Sequence, residues 1–151
     1  MTTFQPPDPA YEARVRTSLA KQGLLETLAA SLERVAPGEV EIALSPSPAV
    51  SQQHGFVHAG AIAAIADSAA GYAALSLMPP GTGVLTTEFK INLLAPAAGE
   101  RILARARVIK AGRTLIVAQT DIFSVTAGQE KLVALLTATL MTIEGREGIT
   151  D

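Results

Sequence analysis

The sequence contains no cysteine, which excludes both disulfide bonds and catalysis by a thiol. It also lacks an excess of positive charge. Twelve lysines and arginines stand against fourteen aspartates and glutamates, and the net charge of −2 gives no global case for binding nucleic acid or an anionic membrane. No P-loop, GxGxxG motif, zinc-ligand spacing or GxSxG nucleophile elbow is present. The function therefore has to rest on other groups.

The chain is instead rich in apolar residues, with 48% hydrophobic and only 17% charged residues in a length of 151. This length fits one domain with a sizeable core. Because the chain is unusually apolar for a small protein, we expect an oligomer that hides part of its surface. Residues 1–9 have neither the basic nor the apolar region of a signal peptide, so we expect a cytoplasmic protein.

Hydrophobic periodicity predicts an α+β domain. Tyr11, Val15 and Leu19 indicate a first helix, and leucines from Leu24 to Leu32 indicate a second helix that ends before Pro37. A strand, a long helix and four further strands follow, at about 39–44, 59–77, 85–93, 101–108, 114–124 and 132–143. Since the last strands are joined by short turns, they should form an antiparallel sheet with the long helix lying across it. Residues after Glu144 resemble a loose tail.

The long helix carries one group that is ionised at neutral pH, Asp67. The rest of the helix is rich in alanine and apolar on all sides, so it should be buried. A carboxylate in such a helix is costly unless it is used or is satisfied by hydrogen bonds. We regard Asp67 as a candidate catalytic carboxylate, with a purely structural, hydrogen-bonded carboxylate as the alternative. No membrane span is expected, because Asp67 opposes insertion.

The start of this helix is a candidate oxyanion site. Free amides of about Ala59, Gly60 and Ala61 should point out of the helix end, where the helix dipole favours negative charge. An ordinary capped helix start is the alternative. Asp67 lies on nearly the same face as Gly60 but about 10 Å along the axis, too far to act on a carbonyl held at the start of its own helix. The two parts can meet only if a second copy of the helix runs antiparallel beside the first, as in a symmetric dimer.

Further candidates flank these two parts. His58 and Gln52 are neutral polar groups close to the helix start, although a histidine there is as often structural as catalytic. Strict alternation puts Thr86 on a polar strand face with Glu88, Lys90 and Asn92, where it would hold a water or orient Asp67; an ordinary strand threonine is the alternative.

Five of the twelve basic residues cluster late in the chain, at Arg101, Arg105, Arg107, Lys110 and Arg113. Alternation puts the first three on one sheet face, with Arg113 at the hairpin. Such a face is either solvated or a docking surface for a phosphorylated ligand.

In combination, these residues resemble the hotdog-fold acyl-CoA thioesterases, and most of all the PaaI-like branch related to phenylacetic acid degradation. That pattern is Asn or Gln, Gly, His-Gly-Gly and a helical Asp or Glu; here it reads Gln52, Gly55, His58-Ala59-Gly60 and Asp67. The segments 89–97 and 110–114 are also similar to family signatures. One departure is Ala59, where the family usually has glycine; its backbone donor survives the change, but the added methyl would crowd the carbonyl or narrow the substrate range.

The resemblance implies an antiparallel sheet wrapped around a long central helix, with residues 24–145 as the hotdog domain, 1–23 as a helical extension and 146–151 as a tail. It implies an acyl-CoA thioesterase in which Asp67 acts as base or nucleophile and the Ala59 amide binds the oxyanion, with His58 and Gln52 positioning substrate from across the dimer. Thr86 matches the position of a water-binding Ser or Thr, and the resemblance implies a homo-dimer or homo-tetramer. Expected contacts to substrate or coenzyme A involve Gly55, Gly60, Asn92, Lys110 and Arg113.

The chemistry of thioester hydrolysis agrees with this interpretation. The thiol of the leaving group has a pKa of only about 8.5, so its thiolate leaves without help from a strong general acid. One carboxylate base and backbone donors are therefore enough for hydrolysis. We expect no metal and no cofactor, since coenzyme A is part of the substrate. The alternatives are a non-catalytic acyl-CoA-binding protein, a hotdog hydratase, which is disfavoured because no histidine follows Asp67 on the helix, and a structural assembly protein with no need of Asp67.

Overall fold

An antiparallel sheet and one long helix make up most of the computed structural model, which describes residues 4–151. The helices are α1 (Tyr11–Leu19), α2 (Gly23–Thr27) and α3 (Ala59–Leu75), with a 3₁₀ turn at Pro48–Val50. The strands are β1 (Ser31–Ala36), β2 (Glu39–Leu44), β3 (Gly83–Leu93), β4 (Arg101–Ala111), β5 (Leu115–Thr126) and β6 (Gln129–Ile143). The predicted α+β class with a long helix on an antiparallel sheet is confirmed.

The strands are ordered β1-β2-β4-β5-β6-β3, and every neighbouring pair is antiparallel. Helix α3 packs across one face, where its alanines let the backbone lie close to the sheet; Ala66, Ala69 and Ala70 are fully buried. Thr120 of β5 donates to the carbonyl of Ala66 at 3.0 Å and ties the helix to the sheet. No helix within residues 4–151 has the length and hydrophobicity needed to cross a bilayer.

The second predicted helix is wrong beyond its first turn. Helix α2 ends at Thr27, and Ala29 takes a positive φ of 51° that a continuing helix does not allow. Leu32 belongs instead to strand β1, which turns at Pro37-Gly38 and pairs with β2. The leucine spacing was compatible with a helix, but pairing with β2 overrode it.

The prediction of strict alternation along β3 is also wrong, because a bulge at Thr87 interrupts the ladder. Thr86 pairs with Leu140, and the next paired residue, Glu88, lies opposite Thr139. The extra residue reverses the alternation. Thr86 therefore faces α3, on the same side as Phe89, while Leu85 and Glu88 face the opposite side of the sheet.

The last residues of the sequence are held in place and do not form the expected loose tail. The amide of Asp151 donates to the carbonyl of Thr82 at 3.2 Å, and its side chain accepts a hydrogen bond from Ser18 at 2.5 Å. Arg14 of α1 is almost buried and donates to the carbonyls of Met78, Pro79, Thr82 and Asp151 at 2.7–3.1 Å. Arg14 thus joins α1, the segment after α3 and the last residue.

The arginines of β4 lie on the sheet face opposite α3, and each is paired with a carboxylate. Arg101 contacts Glu33 at 2.6 Å, Arg105 contacts Glu41 and Glu130 at 2.9 and 3.2 Å, and Arg107 contacts Asp121 at 2.7 Å. This pairing favours the solvated-face alternative over a phosphate docking surface, because the positive charge is already balanced.

Candidate active site

Asp67 lies in the middle of α3, half-buried, and faces the start of strand β3. The hydroxyl of Thr86 donates to Asp67 Oδ1 at 2.8 Å, a contact that exists because the β3 bulge turns Thr86 toward the helix. Burial raises the pKa of the Asp67 carboxyl above its usual range, and the Thr86 hydrogen bond opposes that shift. Asp67 is therefore a stronger base than an exposed aspartate and is held in one orientation.

A cavity of about 260 Å³ opens beside Asp67. Its wall comes from three separated parts of the chain: the α1–α2 segment, helix α3 and the start of β3 with Asp151. The lining residues are Ser18, Gln22, Leu24, Ala64, Asp67, Ser68, Gly71, Tyr72, Val84, Thr86 and Asp151. The carboxylate thus faces a small, largely polar chamber.

The other reactive feature is the start of α3, where His58 is the N-cap. The amide of Gly60 donates to His58 Nδ1 at 2.8 Å, and the amide of Ala61 donates to the His58 carbonyl at 3.0 Å. The amide of Ala59 has no hydrogen-bond partner among residues 4–151. The predicted cluster of three donors is therefore reduced to one, Ala59.

Two further features of this region follow from the cap. Because His58 Nδ1 accepts a hydrogen bond, the neutral ring carries its proton on Nε2 and offers a donor there. A Cβ at Gly60 would lie 3.0 Å from Nδ1, so glycine leaves room for the capping ring. The prediction of a close substrate approach at Gly60 stays a prediction.

Gln52 and Gly55 form the turn that precedes α3. Gly55 has a φ of +83°, which favours glycine, and its amide donates to the carbonyl of Gln52 at 3.0 Å. The side-chain oxygen of Gln52 accepts a hydrogen bond from the amide of His54, which leaves the Gln52 NH₂ group as a donor.

A second, more apolar cleft of about 640 Å³ opens between this turn and the end of β3. Its lining residues are Gln52, Gln53, Phe56, Val57, His58, Ala59, Ile62, Leu93, Leu94, Ala95, Pro96 and Ala97. The structure therefore brings Gln52, His58 and Ala59 to one cleft.

Within one chain the two features do not meet. Ala59 and Asp67 are eight residues apart on the same helix, which corresponds to about 12 Å along its axis. They also line different cavities. The structure unites Asp67 with Thr86, and Ala59 with His58 and Gln52, as two half-sites.

The remaining predicted residues lie away from both half-sites. Asn92 pairs with Leu135 on the sheet face opposite α3, and Lys110 pairs with Val117 on that same face. Arg113 is in the turn between β4 and β5. Neither Lys110 nor Arg113 forms an ion pair within residues 4–151. These three residues could contact a substrate only if the substrate extends well beyond the half-sites or is bound at another subunit.

Sequence reasoning missed part of the Asp67 cavity. Ser68 and Tyr72 interrupt the alanine-rich helix with polar side chains one and five residues after Asp67. This pattern could have predicted that they share its cavity. Ser18 and Gln22 gave no such signal, because only the packing of the α1–α2 segment against α3 brings them to the cavity. No group of three or more histidine, aspartate or glutamate side chains within residues 4–151 could hold a metal ion.

Comparison with known proteins adds a family to this geometry. A family model described as the thioesterase superfamily matches residues 54–131. A Halobacterium salinarum protein provisionally named an esterase is 30% identical over 127 residues, which cover 81% of this chain and 82% of that protein.

Solved structures agree with this match. A thioesterase family protein from Silicibacter pomeroyi is 47% identical with a TM-score of 0.87, covering 89% of this chain and 99% of that one. The PaaI protein of Escherichia coli, from the phenylacetic acid degradation operon, has a TM-score of 0.79 at 22% identity, covering 93% and 95%. The second of these likenesses concerns the fold alone.

A long helix on an antiparallel sheet, matched to these structures, defines a hotdog fold. The chain belongs to the thioesterase superfamily, whose model matches just over half of its length, and it is a thioester hydrolase of that superfamily.

Proposed function

We propose that the protein is an acyl-CoA thioesterase whose active site forms between two subunits of a symmetric dimer. The observation that carries this proposal is the division of the reactive groups. Within residues 4–151, Asp67 is a partly desolvated carboxylate that does not share a cavity with the free amide of the helix start, and the Ala59 amide belongs to a cleft lined by no carboxylate. Each half-site supplies what the other lacks.

The exposed edge of the sheet supports the dimer. Strand β3 is an edge strand, and its Leu85, Phe89 and Leu93 side chains are 44%, 46% and 54% exposed. A long apolar edge strand favours pairing with another chain. Antiparallel pairing of two β3 strands about a two-fold axis would place the two α3 helices side by side in opposite directions. Asp67 of each subunit would then approach Ala59 of the other.

In such a composite site, the thioester carbonyl oxygen would accept a hydrogen bond from the Ala59 amide, supported by the dipole of α3. Asp67 would either take a proton from a water that attacks the carbonyl carbon or attack that carbon itself. If water attacks, collapse of the tetrahedral intermediate breaks the C–S bond, and the released thiolate takes up the proton that Asp67 removed from the water. If Asp67 attacks, the same collapse leaves the acyl group on Asp67 as an anhydride and the thiolate takes a proton from solvent; a water then hydrolyses the anhydride, which releases the acid and restores the carboxylate. No metal enters these steps.

The two cavities divide the substrate between them. The 640 Å³ cleft lies within the 300–1,000 Å³ range of small-molecule pockets and suits the pantetheine arm. The 260 Å³ cavity lies below that range and has room for the acyl group alone, aromatic or of medium chain length, with Leu24, Ala64 and Val84 as the apolar part of its wall. His58 Nε2 and the Gln52 NH₂ group would donate to the substrate at the entrance of the larger cleft.

The test is thiol release from a panel of aromatic and straight-chain acyl-CoAs, with wild type and Asp67→Asn compared at equal concentration. We expect turnover to fall by about 10²–10⁴-fold in Asp67→Asn, because the amide cannot act as base or nucleophile. Glu88→Gln, which removes a carboxylate from the opposite sheet face, is the matched control and should keep wild-type turnover.

The molecular mass of each variant in solution completes this test. Loss of activity with an unchanged oligomer supports the proposal. Tight acyl-CoA binding by wild type and Asp67→Asn without hydrolysis of any ester would instead identify a binding protein.

A further inference from the structure

The cavity beside Asp67 ends in a group of polar side chains that the proposed hydrolysis does not use. Gln22 Nε2 donates to Tyr72 Oη at 2.8 Å, and Ser18 Oγ lies 3.3 Å from the same hydroxyl. Ser18 and Tyr72 are buried. Burying polar groups is unfavourable unless they are hydrogen-bonded, and these two satisfy each other and Asp151.

Gln22 differs from its neighbours because its hydrogen-bonding capacity is not filled. A glutamine amide has two N–H donors and an oxygen with two lone pairs. One donor is used by Tyr72, and the oxygen accepts only a contact from Ser68 Oγ at 3.4 Å, near the limit of a hydrogen bond. Within residues 4–151 the second N–H has no partner, and Gln22 lines the cavity.

The Gln22 side chain is held in place by contacts with the rest of the chain. Arg14, four residues before Ser18 on α1, holds the helix through hydrogen bonds to three carbonyls of the segment after α3 and to the carbonyl of Asp151. Tyr72 then fixes the orientation of the Gln22 side chain. An amide held in this way loses little conformational entropy when it binds a ligand.

We propose that Gln22 is a specificity-determining residue that closes the far end of the Asp67 cavity and favours acyl groups with a hydrogen-bonding group at their far end. This inference rests on the proposed thioesterase function. Asp67 and Asp151 line the same cavity, so the favoured group is neutral, such as a hydroxyl, and not a carboxylate. A purely aliphatic end would leave the Gln22 N–H unpaired.

The experiment compares isosteric pairs of substrates. At each of several chain lengths, the ω-hydroxyacyl-CoA is assayed against the straight-chain acyl-CoA with the same number of non-hydrogen atoms. At the length that reaches Gln22, we expect wild type to favour the hydroxylated ester by about fivefold to tenfold in kcat/KM, the effect of one hydrogen bond. The preference should appear mainly in KM, because the contact is made before and during reaction.

Two variants at position 22 test the assignment. Gln22→Met keeps the length of the side chain without its amide, and the preference should fall to near one. Gln22→Ala leaves empty space, and the optimum should move to longer chains. Lys21→Met, an exposed neighbour in the same segment, is the control and should keep both the preference and the optimum.

A wild-type preference near one at every length, or a preference that survives in Gln22→Met, would overturn the role of Gln22. These results differ from failure of the proposed function, in which wild type releases no thiol from any ester. The inference would fall with the function in that case.

Discussion

The start of α3 and the Asp67 segment, eight residues further along the same helix, offer opposite kinds of reactive group. At the helix start the group is a backbone N–H: His58 accepts the hydrogen bond of the Gly60 amide, and the Ala59 amide has no partner within residues 4–151. At Asp67 the group is a side chain whose pKa depends on burial and on Thr86. One half-site is made by helix geometry and the other by packing.

This difference predicts different tolerance to substitution. A side chain at position 59 can change without loss of the donor, so the alanine found there keeps the N–H. Asp67 shares its cavity with residues from α1, β3 and the last residue of the sequence, and its raised pKa is caused by burial. Changes far from Asp67 in sequence should therefore alter its chemistry, whereas only removal of the N–H should disable the helix start.

The largest effect expected at the helix start comes from Ala59→Pro, which removes the N–H. Proline is well accepted at the first position of a helix, and His58 has the extended conformation (φ −64°, ψ 138°) that proline prefers before it. The fold should persist, while kcat falls by about 10²–10³-fold, the usual effect of losing one oxyanion donor. Kinetics and circular dichroism measure the two outcomes.

Ala59→Gly is the matched control, since it changes the side chain and keeps the N–H. It should retain activity within a few-fold of wild type. Equal losses in Ala59→Gly and Ala59→Pro would show that the side chain at position 59 matters and the amide does not, which would contradict the contrast between the two half-sites.

The fold was readable from the sequence wherever periodicity was strong. The alanine-rich run gave α3, and the alternation at 39–44 gave β2. Two local features overrode the pattern: pairing with β2 turned Leu32 into a strand residue, and the bulge at Thr87 reversed the faces of β3. Neither the pairing nor the bulge leaves a periodic signal, since both depend on which strand lies alongside.

Residues of the candidate site could be predicted from the sequence where their type differed from that of their neighbours. Asp67 stood out as a carboxylate among alanines, and Thr86 was singled out beside it although its strand face was assigned wrongly. The Gly60 and Ala61 amides could not be excluded from the donor cluster in advance, because their partner is the His58 cap. Ser18 and Gln22 reach the cavity only through the packing of α1 and carried no signal of their own.

The division of the site between subunits can be tested by complementation. The activity it restores is a smaller effect than the loss caused by either single substitution. Asp67→Asn and Ala59→Pro are each expected to be inactive as homodimers. When the two chains are co-expressed, a mixed dimer would combine one doubly defective site with one intact site. Random mixing of equal amounts should restore about a quarter of wild-type activity, since half of the dimers are mixed and each has one of two sites.

Mixing after purification, without subunit exchange, is the control and should restore nothing. If each subunit carried a complete site, co-expression would also restore nothing, and the two-half-site interpretation would fail. Mass spectrometry of the intact assembly should confirm that mixed dimers are present before the activity is interpreted.

The smallest effect concerns the electrostatics of Asp67. Activity requires the carboxylate, so kcat/KM should fall as the pH drops through the Asp67 pKa, which burial places above the ordinary value of about 3.9. Thr86→Val removes the hydrogen bond that lowers this pKa, and the acid limb of the profile should therefore move to higher pH. Thr87→Val is the control: the Thr87 hydroxyl donates to the Thr139 carbonyl and should leave the limb unmoved.

The pH dependence of folding stability should also reflect the raised pKa of Asp67. Because the pKa of Asp67 is higher in the folded than in the unfolded chain, its contribution to stability is fully present below the unfolded pKa and is lost as the pH rises through the folded pKa. Asp67→Asn should therefore gain Tm relative to wild type at neutral pH, and the gain should disappear in acid. A Tm difference that is independent of pH would show that packing, and not desolvation of the carboxylate, distinguishes this half-site from the helix start.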